Sequence, residues 1–181
     1  VLDSAPYGSL WHITGDSADQ IDSGDYEVTD SKWASTGQHL AYRRHTAIDA
    51  SEASAWDLYL WNGTTSSMLN AENSSAVLYA WNPSGTRLAY FELREGAWRL
   101  LVQRMDSGGS EVVGTFDSAP SDLFWADDTH AMWAMSGSLF RGDVTAPSYS
   151  SLTGNVSGDI RISPSRTRLA YISTSGNLNI Y

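Results

Sequence analysis

A ten-residue phrase that recurs along the chain constrains its fold more than any other feature. WNPSGTRLAY at 81–90 is echoed by WASTGQHLAY at 33–42, by ISPSRTRLAY at 162–171 and, more weakly, by WADDTHAMWA at 125–134. In each copy an apolar anchor precedes a turn, and a short apolar run follows it. Such regular repetition is typical of an architecture built from copies of one supersecondary unit.

A second echo fixes the length of the repeat. GSLW at 8–11 returns as GSLF at 137–140 and as GNLN at 176–179. Gly8 and Gly176 stand four repeats apart, which gives a period of about 42 residues. The whole chain is therefore organised by one repeat.

Each repeat is predicted to form four short strands, called a, b, c and d in chain order. In the second repeat these strands are expected at 76–81, 86–93, 98–105 and 111–116. Aromatic and β-branched runs bounded by Gly, Ser, Asn and Asp are typical of hairpin strands, and no segment keeps a helical period. Four antiparallel strands in about 40 residues is the pattern of a β-propeller blade. The sequence therefore predicts an all-β propeller of four-stranded antiparallel blades.

We expect a single β-propeller domain, or a fragment of one, over residues 1–181. Its predicted parts are a partial blade at 8–25, blades at about 26–71, 72–117 and 118–155, and an incomplete blade at 156–181. Closing these parts into a ring would place two copies of one strand in the same blade. The chain is therefore predicted to be part of a larger propeller of about six to eight blades.

The repeated phrase resembles the Trp-Ser-Pro-Asp-Gly-x-x-Leu-Ala-Phe motif of WD40-like PD40 repeats, the family of the TolB-type propellers. The resemblance covers nearly the whole chain. Thr36, Ser84 and Ser165 replace the turn aspartate of the motif, and only Asp128 matches it. The resemblance implies a propeller fold and an extracytoplasmic bacterial setting (periplasmic, cell-surface or secreted). It implies no cofactor.

The charge of the chain limits its partners. It carries 21 acidic residues against 11 Lys and Arg, for a formal net charge of −10. So acidic a chain repels phosphate backbones, and no nucleic-acid partner is expected. There is no run of eighteen apolar residues, so no membrane span is predicted. The chain has no cysteine, and its four histidines lack the spacing of a zinc site.

One connection stands out against the repeat. Between strands b and c of the first full blade, HTAIDASEASA at 45–55 is much longer than its counterparts in later blades. Loops on a rigid scaffold often carry binding sites. We therefore predict a partner-binding loop with His45, Asp49 and Glu52, and the alternative is a tolerated surface insertion.

An acidic stretch and a tripeptide match receive structural interpretations. Asp16, Asp19, Asp22 and Asp25 follow one another at every third position, whereas a calcium loop needs alternate positions. The stretch is predicted to be a solvated sheet edge whose charges discourage pairing with other chains. Arg-Gly-Asp at 141–143 is interpreted as a chance match.

Basic residues open strand b in every blade. His39, Arg87, His130 and Arg168 occupy equivalent positions. Two interpretations stay open. Either each of these residues braces its own a–b turn, or the four together form a cationic binding face. Bracing is favoured, because a residue that recurs at one place in every blade is explained by the blade.

No catalytic residue is predicted. The sequence lacks a Gly-x-Ser-x-Gly elbow, a glycine-rich phosphate loop and a His-Glu-x-x-His pair. Asp127 and Asp128 are adjacent, so they are expected to point to opposite sides and not to face each other across a cleft.

The predicted function is therefore that of a non-catalytic protein-binding or scaffold module. Its expected partner is another protein or further copies of the propeller. One alternative is the gating propeller of a prolyl-oligopeptidase-like serine peptidase, which this type of domain resembles. The other is a carbohydrate-binding propeller with aromatic contacts at Trp56, Trp61 and Trp98.

Overall fold

A computed structural model describes residues 9–22, 27–45 and 56–181, and within these ranges it contains strands and turns but no helix. Two compact units divide the chain, Val1–Ala76 and Val77–Tyr181. The described ranges offer no helix that is long and apolar enough to cross a membrane.

The first unit contains two antiparallel sheets. A two-stranded sheet joins β1 (Leu10–Thr14) to β2 (Ser17–Asp22). A four-stranded sheet follows in the order β3-β4-β5-β6, with strands β3 (Glu27–Trp33), β4 (Leu40–His45), β5 (Trp56–Trp61) and β6 (Ser66–Met68). Leu40, Tyr42 and Trp61 form its buried core.

The second unit contains three sheets in which sequence neighbours pair in order. The first sheet comprises β7 (Ser75–Trp81), whose first residues precede the unit boundary, β8 (Arg87–Arg94), β9 (Ala97–Arg104) and β10 (Ser110–Phe116). The second comprises β11 (Pro120–Trp125), β12 (His130–Met135), β13 (Ser138–Asp143) and β14 (Ser148–Thr153). The third has three strands, β15 (Val156–Ile162), β16 (Leu169–Ser173) and β17 (Leu178–Ile180).

The predicted strands of the second repeat are confirmed. Strands β7 to β10 agree with the expected ranges to within one residue at each end. The a–b turn between β7 and β8 forms where Pro83 and Gly85 predict it, and Gly85 adopts a φ of 68°, in the left-handed region that costs glycine little. Its N–H donates to the Asn82 carbonyl at 3.0 Å, which closes the turn.

The Leu-Ala-Tyr part of the phrase is buried on both sides of its strand. Leu88, Ala89 and Tyr90 are all fully inaccessible to solvent. Successive side chains of a strand point to opposite faces, so strand b is covered on both. Ala89 packs in the same cluster as Phe91 and Trp133, which explains why a small residue stands between two large ones.

Trp133 lies at the centre of the aromatic core between the first two sheets of the second unit. It is fully buried, and its ring stacks on Phe140 at 5.7 Å and meets Tyr149 edge-on at 5.7 Å. A Cβ atom on Gly142 would lie 2.9 Å from this ring, closer than packing allows. The glycine of the Arg-Gly-Asp match is thus a packing residue within strand β13, paired on both sides.

Candidate functional site

A buried asparagine organises the a–b turn of the second blade. Asn82 is only 2% exposed. Its Oδ1 accepts hydrogen bonds from the backbone N–H groups of Thr86 and Arg87, both at 2.9 Å. Its Nδ2 donates to Asp128 Oδ1 at 3.1 Å, in the corresponding turn of the third blade.

Asp128 in turn holds the preceding blade. Its Oδ1 accepts a hydrogen bond from the Ser84 N–H at 2.8 Å, and its carbonyl accepts one from Arg87 Nη1 at 2.9 Å. Close by, Trp125 Nε1 donates to the Ala80 carbonyl at 2.8 Å. The one residue that matches the motif aspartate therefore ties two neighbouring blades together.

Asp127 is used within its own turn. Its Oδ1 accepts hydrogen bonds from the Thr129 N–H, the Thr129 hydroxyl and the His130 N–H at 2.8–2.9 Å. His130 Nδ1 lies 2.9 Å from both carboxylate oxygens, and Arg141 Nη2 lies 3.6 Å from Oδ2. Partial burial alone would raise the pKa of Asp127, but the hydrogen bonds from Thr129 and His130 outweigh it and lower the pKa from 3.8 to about 2.

This lowered pKa predicts a loss of stability in acid. A carboxyl whose pKa is lower in the folded state stabilises the fold above its unfolded pKa, and the contribution disappears as the pH falls through the folded value. For Asp127 the loss is expected from about pH 4 to about pH 2. Because the side chain is 47% exposed, the effect on the free energy of unfolding is expected to stay below about 1 kcal/mol.

Urea unfolding of wild type and Asp127→Asn at stepped pH measures this effect. The wild type is expected to be the more stable protein near neutral pH and to lose that advantage in the acid range. Asp117→Asn, which removes an exposed carboxylate outside the turn, serves as the control. A difference between wild type and Asp127→Asn that stays constant down to about pH 2 would contradict the assignment.

A cavity of about 520 Å³ opens among these turns of the second unit. We call it the turn cavity. It is lined by Pro83, Ala126, Asp127, Asp128, Met132, Arg141, Leu152, Ile162, Ser165, Arg166, Thr167, Arg168, Leu169 and Tyr181. Its volume lies within the range of pockets that bind small molecules or peptide side chains.

Arg166 enters this cavity from an unusual backbone conformation. In the repeated phrase it occupies the place of Gly37 and Gly85, and like them it has a positive φ, 56°. For a residue with a Cβ atom this conformation costs about 1–2 kcal/mol. A guanidinium N–H of Arg166 donates to the Trp125 carbonyl of the preceding blade.

Arg168 has the fewest polar side-chain contacts of the three arginines that line the turn cavity. Its side chain is exposed, and within the part of the chain that the structure describes its guanidinium forms neither an ion pair nor a hydrogen bond. Arg141, by contrast, already lies 3.6 Å from Asp127. The cavity therefore presents donors that its own carboxylates do not use.

The basic residues that open strand b divide between the two interpretations. His130 contacts Asp127 in its own a–b turn, as the bracing interpretation predicts, whereas Arg87 donates to the Asp128 carbonyl in the turn of the next blade. Arg168 instead faces the turn cavity. His39 is half-buried in the first unit.

Of the predicted partner-binding loop, only His45 lies within the described residues. His45 lies at the end of β4, where its ring contacts that of Trp56 with a centroid distance of 4.9 Å. The Arg43 guanidinium lies 4.9 Å from the same indole. Asp49 and Glu52 fall outside the described residues. The structure thus brings His45 and Trp56 together, and their role in binding stays a prediction.

The other two predicted aromatic contacts lie in packed positions. Trp61 is 8% exposed in the core of the first unit. Trp98 is half-buried and packs on the core of the second unit. The more accessible indoles are Trp11 and Trp33, which are 51% and 45% exposed. In the sequence Trp33 holds the apolar anchor position of the repeated phrase, which predicts burial and not exposure.

The acidic stretch is more than a solvated edge. Asp16 and Asp19 are exposed, but Asp22 accepts a 2.6 Å hydrogen bond from the Tyr42 hydroxyl and lies 3.9 Å from Arg44. Burial, followed by the Asp22 hydrogen bond, raises the pKa of Tyr42. Asp25 lies outside the described residues. Within the described ranges no three His, Cys, Asp or Glu side chains are grouped to hold a metal ion.

Comparison with known proteins rests on structure alone. No family model matches the chain, and neither does any curated protein. Among solved structures, an oligogalacturonate lyase in complex with manganese superposes with a TM-score of 0.65 at 13% identity, over 91% of this chain and 50% of that one. TolB from Agrobacterium tumefaciens gives 0.63 at 18% identity, over 96% and 73%. The β-propeller domain of Cps50 (Swd1) from Myceliophteria thermophila gives 0.58 at 14% identity, over 86% and 56%.

These likenesses establish the fold. The all-β prediction with four-stranded antiparallel blades is confirmed, and the fold is that of a β-propeller. The chain spans about half the length of the lyase and of the Cps50 domain. The predicted blade boundaries and the larger number of blades stay predictions.

Proposed function

We propose that this chain is a non-catalytic propeller module that binds a segment of another protein at the turn cavity. One observation carries the proposal: cationic side chains with unused donors line a cavity whose walls are fixed by hydrogen bonds between blades. A rigid scaffold that presents free donors loses little conformational entropy when a partner binds.

The chemistry of the two acids supports binding over catalysis. A general base works best with a pKa near the operating pH, whereas Asp127 has a pKa of about 2. Asp128 Oδ1 is engaged by Ser84 and Asn82. Both carboxylates thus serve the turns, and Arg168 is left to meet a ligand.

Site-specific photocrosslinking in the organism that makes the chain tests this proposal. A photoreactive amino acid at Ser165, which is exposed and lines the turn cavity, is expected to yield one discrete protein adduct. The same group at Ser107, an exposed residue in a c–d turn outside the cavity lining, is the control. Absence of a discrete adduct at Ser165, or the same adduct at both positions, would count against a protein-binding cavity.

A carbohydrate-binding propeller is the second candidate, favoured by the aromatic surface of the first unit. Trp33 packs against His12 and Trp61 with ring centroids 5.6 Å and 5.8 Å apart, and it is itself 45% exposed. Exposed indoles are suitable platforms for sugar rings. Quenching or a shift of tryptophan fluorescence by neutral oligosaccharides, lost in Trp33→Ala, would support this candidate.

The setting of the module is proposed from sequence. Resemblance to TolB-type repeats supports an extracytoplasmic bacterial location. The same resemblance supports, as an alternative, the propeller of a prolyl-oligopeptidase-like serine peptidase.

A further inference from the structure

The charge of the turn cavity is opposite to that of the chain. The protein has a formal net charge of −10, yet the cavity gathers Arg141, Arg166 and Arg168 around Asp127 and Asp128. Both acids are held by hydrogen bonds from the turns. Among the side chains that line the cavity the surplus is one positive charge, and Arg168 carries it without a partner among the described residues.

Apolar side chains complete the lining. Met132 and Leu169 are buried members of the core between the second and third sheets of the unit, and Leu152 packs against the same cluster. Ile162 is half-buried beside them in the lining. An occupant therefore meets cationic donors and an apolar surface within one cavity.

We propose that the turn cavity binds a peptide segment that sets one carboxylate against Arg166 and Arg168 and an adjacent apolar side chain on the apolar lining. The inference rests on the proposed function and specifies its ligand. An arginine fork matches the two oxygens of a carboxylate and forms charge-assisted hydrogen bonds with them. Arg166 stands with a left-handed backbone at a turn position where two other copies of the phrase have glycine.

The number of charges and the type of ligand follow from the surroundings. A ligand with many negative charges would be repelled by the acidic surface, whereas a single carboxylate matches the local surplus of one. Sugars bind largely by stacking on aromatic rings, and Tyr181 is the one aromatic residue in the described lining. A carboxylate next to an aliphatic side chain, as in a Leu-Glu-Leu sequence, fits both parts of the cavity.

Fluorescence anisotropy with labelled peptides tests the proposal on the full chain. The probe is a short peptide with blocked ends and a central Leu-Glu-Leu, and its matched control has Gln in place of Glu. A third peptide has Gln in place of Glu and a free carboxyl-terminal Leu. It distinguishes recognition of a side-chain carboxylate from recognition of a chain end. Binding is expected for the Glu peptide or the chain-end peptide, and at least about tenfold weaker binding for the Gln peptide.

Charge-matched variants locate the site. Arg168→Gln and Arg166→Gly are each expected to weaken binding of the acidic peptide about tenfold or more. Arg94→Gln makes the same charge change at the end of β8, outside the cavity lining, where Arg94 lies 3.9 Å from Glu95. This control variant is expected to leave binding unchanged. Circular dichroism establishes that each variant is folded.

Three results would overturn the inference: a Gln peptide that binds as tightly as the better of the two carboxylate peptides, equal loss in Arg94→Gln and Arg168→Gln, or binding of a galacturonate oligomer with no peptide bound. The crosslink at Ser165 separates this failure from failure of the proposed function. If the adduct persists in Arg168→Gln while acidic peptides do not bind, the module binds a protein here by other chemistry.

Discussion

Replacing Trp133 with alanine is expected to lower the free energy of unfolding by about 3–5 kcal/mol. The ring is fully buried and contacts Phe91, Phe116, Phe140 and Tyr149. Its removal leaves a cavity that these large, rigid rings fill poorly, so both the transfer energy and the packing contacts are lost. Denaturant unfolding, followed by circular dichroism because the fluorophore set changes, measures the effect.

Trp133→Phe is the matched control. Phenylalanine keeps most ring contacts and removes the indole Nε1, which is buried and without a hydrogen-bond partner in the described structure. An unpaired buried donor is itself unfavourable, so the cost is expected to stay below about 1.5 kcal/mol. Equal losses in the alanine and phenylalanine variants would contradict this account, because the ring contacts that phenylalanine keeps would then contribute nothing to stability.

Replacing Asn82 with alanine is the second large expected effect, a loss of about 2–3 kcal/mol. The change leaves the N–H groups of Thr86 and Arg87 without their acceptor and breaks the link from Nδ2 to Asp128. Because Asn82 is buried, water does not readily replace these bonds. Thermal and urea unfolding report the loss.

The equivalent position of the last blade supplies the control. Ser163 Oγ accepts a 3.1 Å hydrogen bond from the Arg168 N–H in a more exposed turn. Ser163→Ala is expected to cost less than about 1 kcal/mol. A loss in Ser163→Ala as large as in Asn82→Ala would mean that turn closure, and not the link to the next blade, dominates.

The strands were predictable because their signals are local. The turn at Pro83 and Gly85 and the apolar Leu-Ala-Tyr run lie within one repeat, and the observed bounds of β7 to β10 agree closely with the predicted ranges. The length of the repeat also predicted a propeller blade, because one small four-stranded sheet must bury its faces against neighbouring sheets. Hence the fold followed from pattern alone.

The candidate site was not predictable in the same way, because it depends on contacts between repeats. Asn82 and Asp128 are 46 residues apart, and neither departs from ordinary turn composition. The arginine that replaces glycine in the last copy of the phrase is visible in the sequence. Its left-handed backbone and its contact with Trp125 appear only in the structure.

Burial of the tryptophans shows the same limit. Trp33 and Trp125 hold the same anchor position of the phrase, yet the first is 45% exposed and the second 1%. The strand pattern sets which way a side chain points, and the neighbouring sheet sets whether anything covers it. One repeated phrase therefore produces both a core residue and a surface residue.

The hydrogen bonds between Asp128 and the preceding turn bear on how such a chain can be recombined. Exchanging a gene segment at a blade boundary would separate Asp128 from Ser84 and Asn82, and the residue that replaces Asp128 would meet a turn that belongs to another sequence. The unit that can be exchanged intact is then a pair of adjoining turns that spans two repeats. Chimaeras that move both turns together should fold more readily than those cut between them.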